Sequence, residues 1–181
     1  ILKRFRNRNI IFYLFDPLKQ IINFEHETFN NFNYYDCALD SKKPDFLISD
    51  GLWKGYNLYE LYKEAYTPFE WHQELFEFAK THGVILFSSP FDETAVDLLY
   101  SLNAPAFKIA SFEMTDLNLV KKVAMTKKPM IISTGMANLE EIETTVRTAR
   151  KNGAKDITLL YCVSNYPSKI DDFNLNNIRI L

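Results

Sequence analysis

Four short apolar runs, at residues 84–87, 106–110, 130–132 and 157–161, start about two dozen residues apart, with a helical pattern filling each gap. That alternation predicts βα units and a parallel sheet, hence an α/β fold. The helical signals are local and chemical. Thr67-Pro68-Phe69-Glu70 reads as a Thr N-cap, Pro at the first helical position and Glu placed to close a capping box. Phe69, Leu75, Phe76 and Ala79 then give one apolar face, and Gly83 supplies a left-handed stop. Asn138 and Glu141 repeat the capping logic ahead of Ile142, Val146 and Ala149, and Gly153 ends that helix. Each apolar run finishes in small hydroxylic or polar residues: Ser88-Ser89, Ser111, Ser133-Thr134 and Ser164-Asn165-Tyr166. A β/α barrel carries its functional face at the strands' C-terminal ends, and an open doubly wound sheet binds ligands at the same ends. The repeat alone leaves both architectures open.

Composition narrows the functional classes. Hydrophobic residues at 47% and charged residues at 24% are the balance of a globular chain. A formal net charge of −2 gives no electrostatic reason to expect nucleic acid or an anionic membrane as a partner. No apolar run approaches the ~20 residues that cross a bilayer. The basic start Lys3-Arg4-Phe5-Arg6, followed by the apolar residues 10–15, imitates a leader, but Asp16-Pro17 cuts it short and no small-residue cleavage site follows. Cys37 and Cys162 lie far apart without metal-ligand spacing, which predicts reduced cysteines in a cytoplasmic protein. Residues 1–38 differ in texture from the rest. They are rich in aromatics and asparagine, lack glycine and hold no sustained period.

Lys108 carries the most chemical information. It interrupts the run Ala106-Phe107-Lys108-Ile109-Ala110, which otherwise suits a buried strand. An unpaired buried ammonium costs several kcal/mol at least, so such a lysine needs an anion or must lose its proton. Three readings follow: a clamp on phosphate or carboxylate, a Schiff-base nucleophile, or an edge-strand lysine snorkelling to water. The hydroxyls have a bland reading of their own, because Ser and Thr often follow strands to cap the next helix. Four such ends around one lysine would instead make a ring of donors suited to a multiply charged anion. Glu113, two residues past Ser111, is either a proton shuttle or a helix-terminal charge. Tyr166, before Pro167, is either a sugar-contacting wall or a loop anchor. His26, His72 and His82 form no metal motif.

Longer motifs then carry a resemblance. Leu52-Trp53, Leu58-Tyr59-Glu60-Leu61-Tyr62 and Ala65-Tyr66-Thr67-Pro68-Phe69-Glu70-Trp71-His72 resemble the pseudaminic acid synthase signature. Phe87-Ser88-Ser89-Pro90-Phe91-Asp92, Phe107-Lys108-Ile109-Ala110-Ser111-Phe112-Glu113 and Ile131-Ile132-Ser133-Thr134-Gly135-Met136 follow in that family's order. Tyr161-Cys162-Val163-Ser164-Asn165-Tyr166-Pro167 and Asn174-Leu175 complete the likeness to pseudaminic and sialic acid synthases over residues 39–181.

The resemblance implies a partial (β/α)8 TIM-type barrel with four clear parallel βα units. It implies a phosphoenolpyruvate-dependent, C–C bond-forming transferase that joins phosphoenolpyruvate to the open-chain aldehyde of an N-acetylated amino sugar. Carbon 3 of the enol attacks the aldehyde, water adds at carbon 2, and phosphate leaves by C–O cleavage to give an α-keto acid. By the same resemblance, Ser89, Lys108, Ser111 and Ser133 are phosphoenolpyruvate contacts, with Lys108 a non-covalent charge clamp. Tyr166 is a sugar-side residue, and Glu113 lies near the reacting carbons. Ser164 stands where sialic acid synthases usually have asparagine and pseudaminic ones serine, and the tyrosine-rich residues 58–71 favour the same branch. The substrate expected is therefore a diacetamido-trideoxy-L-altrose, with N-acetylneuraminate or legionaminate synthesis as the alternatives. A homodimer is an expectation of the resemblance alone.

The family's divalent metal (Mn or Mg) polarises the aldehyde, and its histidine ligands are expected beyond Leu181. The family's first two strands are expected before Leu39, and residues 1–38 match neither. The sequence is therefore read as a divergent stretch over 1–38 and a partial synthase barrel domain over 39–181. On that reading it is an inactive fragment or, in another functional class, a non-catalytic remnant. Each sheet edge would stay open unless residues 1–38 or a partner covered it.

Overall fold

The computed structural model describes residues 11–14, 39–50, 53–65, 67–164 and 168–180. The chain divides into two compact units, residues 16–71 and residues 1–15 with 72–181. In the smaller unit, Leu47 and Asn57 form an antiparallel bridge, and Gly55, at φ +92°, turns the chain between them. Asn57 is wholly buried, and its Oδ1 accepts from the Glu60 backbone N–H at 2.7 Å, capping α1 (Leu58–Ala65).

The larger unit is built on a five-stranded parallel sheet. Its strands are β1 (Ile11–Leu14), β2 (Ile85–Ser88), β3 (Phe107–Ile109), β4 (Met130–Ser133) and β5 (Ile157–Leu160). Spatial order equals chain order, so the sheet is singly wound and the doubly wound alternative falls away, since that requires the order to reverse. The crossovers are α3 (Glu93–Ser101), α4 (Leu117–Met125) and α5 (Leu139–Lys151). α3 packs on α4 and α4 on α5, as consecutive helices do along one side of a sheet.

The start of the chain contributes to the sheet. Residues 11–14, part of the leader-like apolar start, form β1, the edge cover that the sequence reading left open to residues 1–38. They pair parallel with β2 from Ile11 against Ile85 to Leu14 against Ser88. The physical reason is the unpaired edge of β2, which any extended apolar segment of matching length can satisfy through backbone hydrogen bonds alone.

The period-2 alternation of β3 sorts its side chains. Phe107 and Ile109 are fully buried toward the helices, with Met130 and Ile132 beside them on β4. They join Val96 and Leu99 of α3, Leu119, Val120 and Val123 of α4, and Ile142 and Ala149 of α5 in one apolar core. Lys108 points to the opposite face, level with Ile131.

α2 (Phe69–Thr81) begins one residue later than the Thr67-Pro68 reading places it, with the Trp71 N–H bonded to the Pro68 carbonyl at 3.1 Å. Gly83 (φ +65°) and Gly153 (φ +107°) end α2 and α5 in the left-handed conformation. In each case a backbone N–H reaches back to a last-turn carbonyl: Val84 to Ala79 and Ala154 to Ala149. The capping box of Asn138 and Glu141 is fully formed. No described helix is long and apolar enough to cross a membrane.

Candidate active site at the strand ends

β3 lies between β2 and β4, so Lys108 is on a central strand and the edge-lysine reading is excluded. Its Nζ donates to the Ile109 carbonyl at 3.1 Å. Burial pulls the Lys108 ammonium below the ordinary lysine value, and the nearby Cys162 and Glu113 partly offset that. Glu113 is itself buried, in a short 3-10 turn (Glu113–Thr115) directly after the β3 loop. A part-buried lysine and a buried glutamate thus lie within electrostatic reach of each other at the C-terminal end of β3.

The helix caps decide what the hydroxyls are for. α3 is capped by Asp92, which accepts from Ala95 N–H at 2.7 Å. α4 is capped by Asp116, which accepts from Asn118 and Leu119, and α5 by Asn138. No serine at the ends of β2, β3 or β4 caps the helix that follows it, so the bland explanation of those hydroxyls fails. Glu113 likewise does not serve α4, whose N-terminus Asp116 already occupies.

The hydroxyls then divide by role. Thr134 spends both its Oγ1 and its N–H on the Leu160 carbonyl, each at 3.0 Å, pinning β4 to β5. Ser88 pairs with Phe107 and so shares the helix-facing side; alternation puts Ser89, the next residue, on the face of Lys108. Both are buried. Ser133 is buried on the Lys108 face, one strand over and two residues on from Ile131, about 6.6 Å further along. Ser111 Oγ accepts from the Gly135 N–H at 3.2 Å. A Cβ placed on Gly135 would meet Ser164 Oγ at 2.4 Å and Ser111 Oγ at 3.1 Å, so these two hydroxyls crowd one small space.

Among the described residues, the Ser133 and Ser164 hydroxyls have no hydrogen-bond partner, and Ser111 has only the Gly135 N–H. Ser111, Ser133 and Ser164 therefore hold hydroxyl protons with no acceptor among the described residues. Tyr166 lies outside the described residues, as do Cys37 and His26. Cys162, half-buried and free, was read from sequence as an ordinary cysteine; the structure brings it to the lysine. Gly135 was quoted only within a motif, and its contact with two serines is invisible without the third dimension. Among the described residues no group of three or more His, Cys, Asp or Glu could hold a metal ion. The residues seen here thus do not fit a divalent metal, and no step is routed through one.

A singly wound parallel β/α sheet with part-buried lysine and serine side chains at its strand ends defines a class, the β/α-barrel folds that carry their sites at those ends. The sequence model of the NeuB family matches residues 27–181, and the chain belongs to that family. It is 53% identical over 138 residues to the pseudaminic acid synthase of Helicobacter pylori, a match covering 76% of this chain and 41% of that protein. It is 46% identical over 112 residues to an N,N'-diacetyllegionaminic acid synthase of Campylobacter jejuni, covering 61% of this chain and 34% of that one. The crystal structure of an N-acetylneuraminic acid synthetase from Leptospira borgpetersenii superposes with a TM-score of 0.64 at 30% identity, over 67% of this chain and 42% of that one. A Thermotoga maritima DAHP synthase, at 17% identity and a TM-score of 0.54, shares the fold alone. The chain spans about 41% of the length of the pseudaminic acid synthases it matches.

Proposed function

We propose that this chain carries the phosphoenolpyruvate-binding part of a sugar acid synthase, with Lys108 and the Ser89, Ser111, Ser133 and Ser164 hydroxyls as its ligands. The observation that supports this reading is that the Ser111, Ser133 and Ser164 hydroxyl protons have no acceptor among the described residues, at the ends of the part-buried Lys108 strand and of the two strands beyond it. Among the described residues no buried side-chain polar atom lacks a partner, so these hydroxyls meet water when the site is empty and are open to an oxyanion that accepts from several of them. Phosphoenolpyruvate offers both a phosphate and a carboxylate.

In the proposed reaction, a C–C bond forms between carbon 3 of the enol and the aldehyde carbon of an amino sugar. The aldehyde oxygen takes a proton as it becomes a hydroxyl, and water adds its oxygen at the electron-poor carbon 2 and loses one proton. The carbon 2–oxygen bond to phosphate then breaks with its electron pair leaving on phosphate, as the second water proton is lost and the carbon 2 ketone forms. Lys108, as the ammonium, pairs with the negative charge of the substrate throughout and makes no covalent bond. Glu113 is the group proposed to accept the proton of that water. A diacetamido-trideoxy-L-altrose is the proposed sugar, supported by the 53% identity to a pseudaminic acid synthase against 46%, over a shorter match, to a legionaminic one.

A second reading, anion binding without turnover, is favoured by the exposure of Thr158 and Leu160 on the face that bears Lys108. The test common to both is calorimetric titration of phosphoenolpyruvate into the wild-type chain and Lys108→Ala. The substitution is expected to weaken binding by about 1.5–3 kcal/mol, the range for hydrogen bonds to charged groups. Equal affinity for the two proteins would overturn the clamp role.

A further inference from the structure

We infer that Gly135 is a positioning residue of the proposed anion site, setting the proton direction of Ser111 and the approach of Ser164. The inference rests on the reading of this site as an anion site and deepens it. Two observations carry it.

The first is the Gly135 N–H, which donates to Ser111 Oγ at 3.2 Å, the only hydrogen bond of that hydroxyl among the described residues. A hydroxyl has one proton and two lone pairs. With one lone pair taken by a backbone N–H, the proton turns away from that donor toward the open side of the site. The backbone amide thereby uses one acceptor position of Ser111 and leaves its proton free to be donated, the role an anion requires. The second observation is the space at Cα. A Cβ on Gly135 would lie 2.4 Å from Ser164 Oγ and 2.8 Å from the Cys162 carbonyl. The serine can rotate away, but the carbonyl belongs to the backbone that follows β5. Any side chain at 135 therefore displaces the Ser164 segment from the end of β4. The conformation of Gly135 is not left-handed, so what selects glycine here is closeness of approach and not a special backbone angle.

The test uses the whole chain with phosphoenolpyruvate as probe. Titrations compare the wild type, Gly135→Ala, Ser111→Ala and the double variant. Gly135→Ala is expected to weaken binding by about tenfold, with two hydroxyl donors to a charged group disturbed at once. Its effect in the Ser111→Ala background is expected to shrink well below that, because residues acting through one another are not additive. Without ligand, the Gly135 amide is expected to exchange with solvent deuterium faster in Ser111→Ala than in the wild type, a readout that general loosening of the fold would not confine to one amide.

Wild-type binding with Gly135→Ala within twofold of it would overturn the inference, as would full additivity of the two substitutions. An unchanged Gly135 amide in Ser111→Ala would overturn the contact itself. A wild-type chain that does not bind phosphoenolpyruvate would instead overturn the proposed function, and the anion role of Gly135 with it.

Discussion

At Lys108 two effects oppose each other, and burial is the larger. Desolvation disfavours the ammonium, while Cys162 and Glu113 nearby favour it, and the net shift is downward. The sign for stability follows. Between the lowered folded value and the ordinary unfolded one, the unfolded chain binds more protons, so stability rises with pH through that window. Anion binding runs the other way, since only the charged lysine clamps. Phosphoenolpyruvate affinity is expected to be flat at lower pH and to fall as pH rises through the lowered Lys108 value, still below 10.5. Titrations across that range on the wild type and Lys108→Ala check this, and the slope should vanish in the variant. The importance of Lys108 was legible in the sequence because a charge inside an apolar run is costly wherever it lands. That Ser111 and Ser164 meet at Gly135 was not legible, because residues far apart in the chain on different loops become neighbours only when the strands pair.

The helices were the most readable elements, since caps and stops are local chemistry. Asn138 and Glu141 close the box that their spacing announces. Asn138→Ala is expected to cost about 1 kcal/mol of stability, within the 0.5–2 kcal/mol range for lost caps. Urea denaturation measures it, and a midpoint equal to that of the wild type would contradict the capping role. On the strands, Phe107 is wholly buried between sheet and helices, and Phe107→Ala is expected to cost about 3–5 kcal/mol by the same measurement. Asp92 and Asp116 went unread as caps, although each is an aspartate just before a helical pattern. Their recognition would have released the serines from that duty at once.

For the molecule as a whole, the edges of the sheet decide behaviour. β1 covers the outer side of β2 through backbone pairing. Removing residues 1–15 is expected to raise amide exchange at residues 85–88 and to promote self-association visible in sedimentation velocity, because a bare parallel edge recruits other strands. Unchanged exchange and a monodisperse monomer would mean that β1 is dispensable. On the other side, Thr158 and Leu160 are exposed on the face that bears Lys108, so water reaches that face beside β5. The 181 residues by themselves are accordingly expected to bind phosphoenolpyruvate and yet to form no keto acid over hours with the amino sugar and manganese. Phosphate release checks it, and steady turnover would overturn the expectation.

The sequence by itself determined the βα alternation, the helix ends, the apolar positions and the family motifs. Each is written in spacing along the chain, through propensity, capping and period. Tertiary structure alone decided that the sheet is singly wound, that residues 11–14 join it, and that Gly135 lies against two serines. Strand order, edge pairing and close approach are relations between segments distant in sequence. They depend on which backbone groups still need hydrogen bonds once the helices have packed, and no local pattern encodes that.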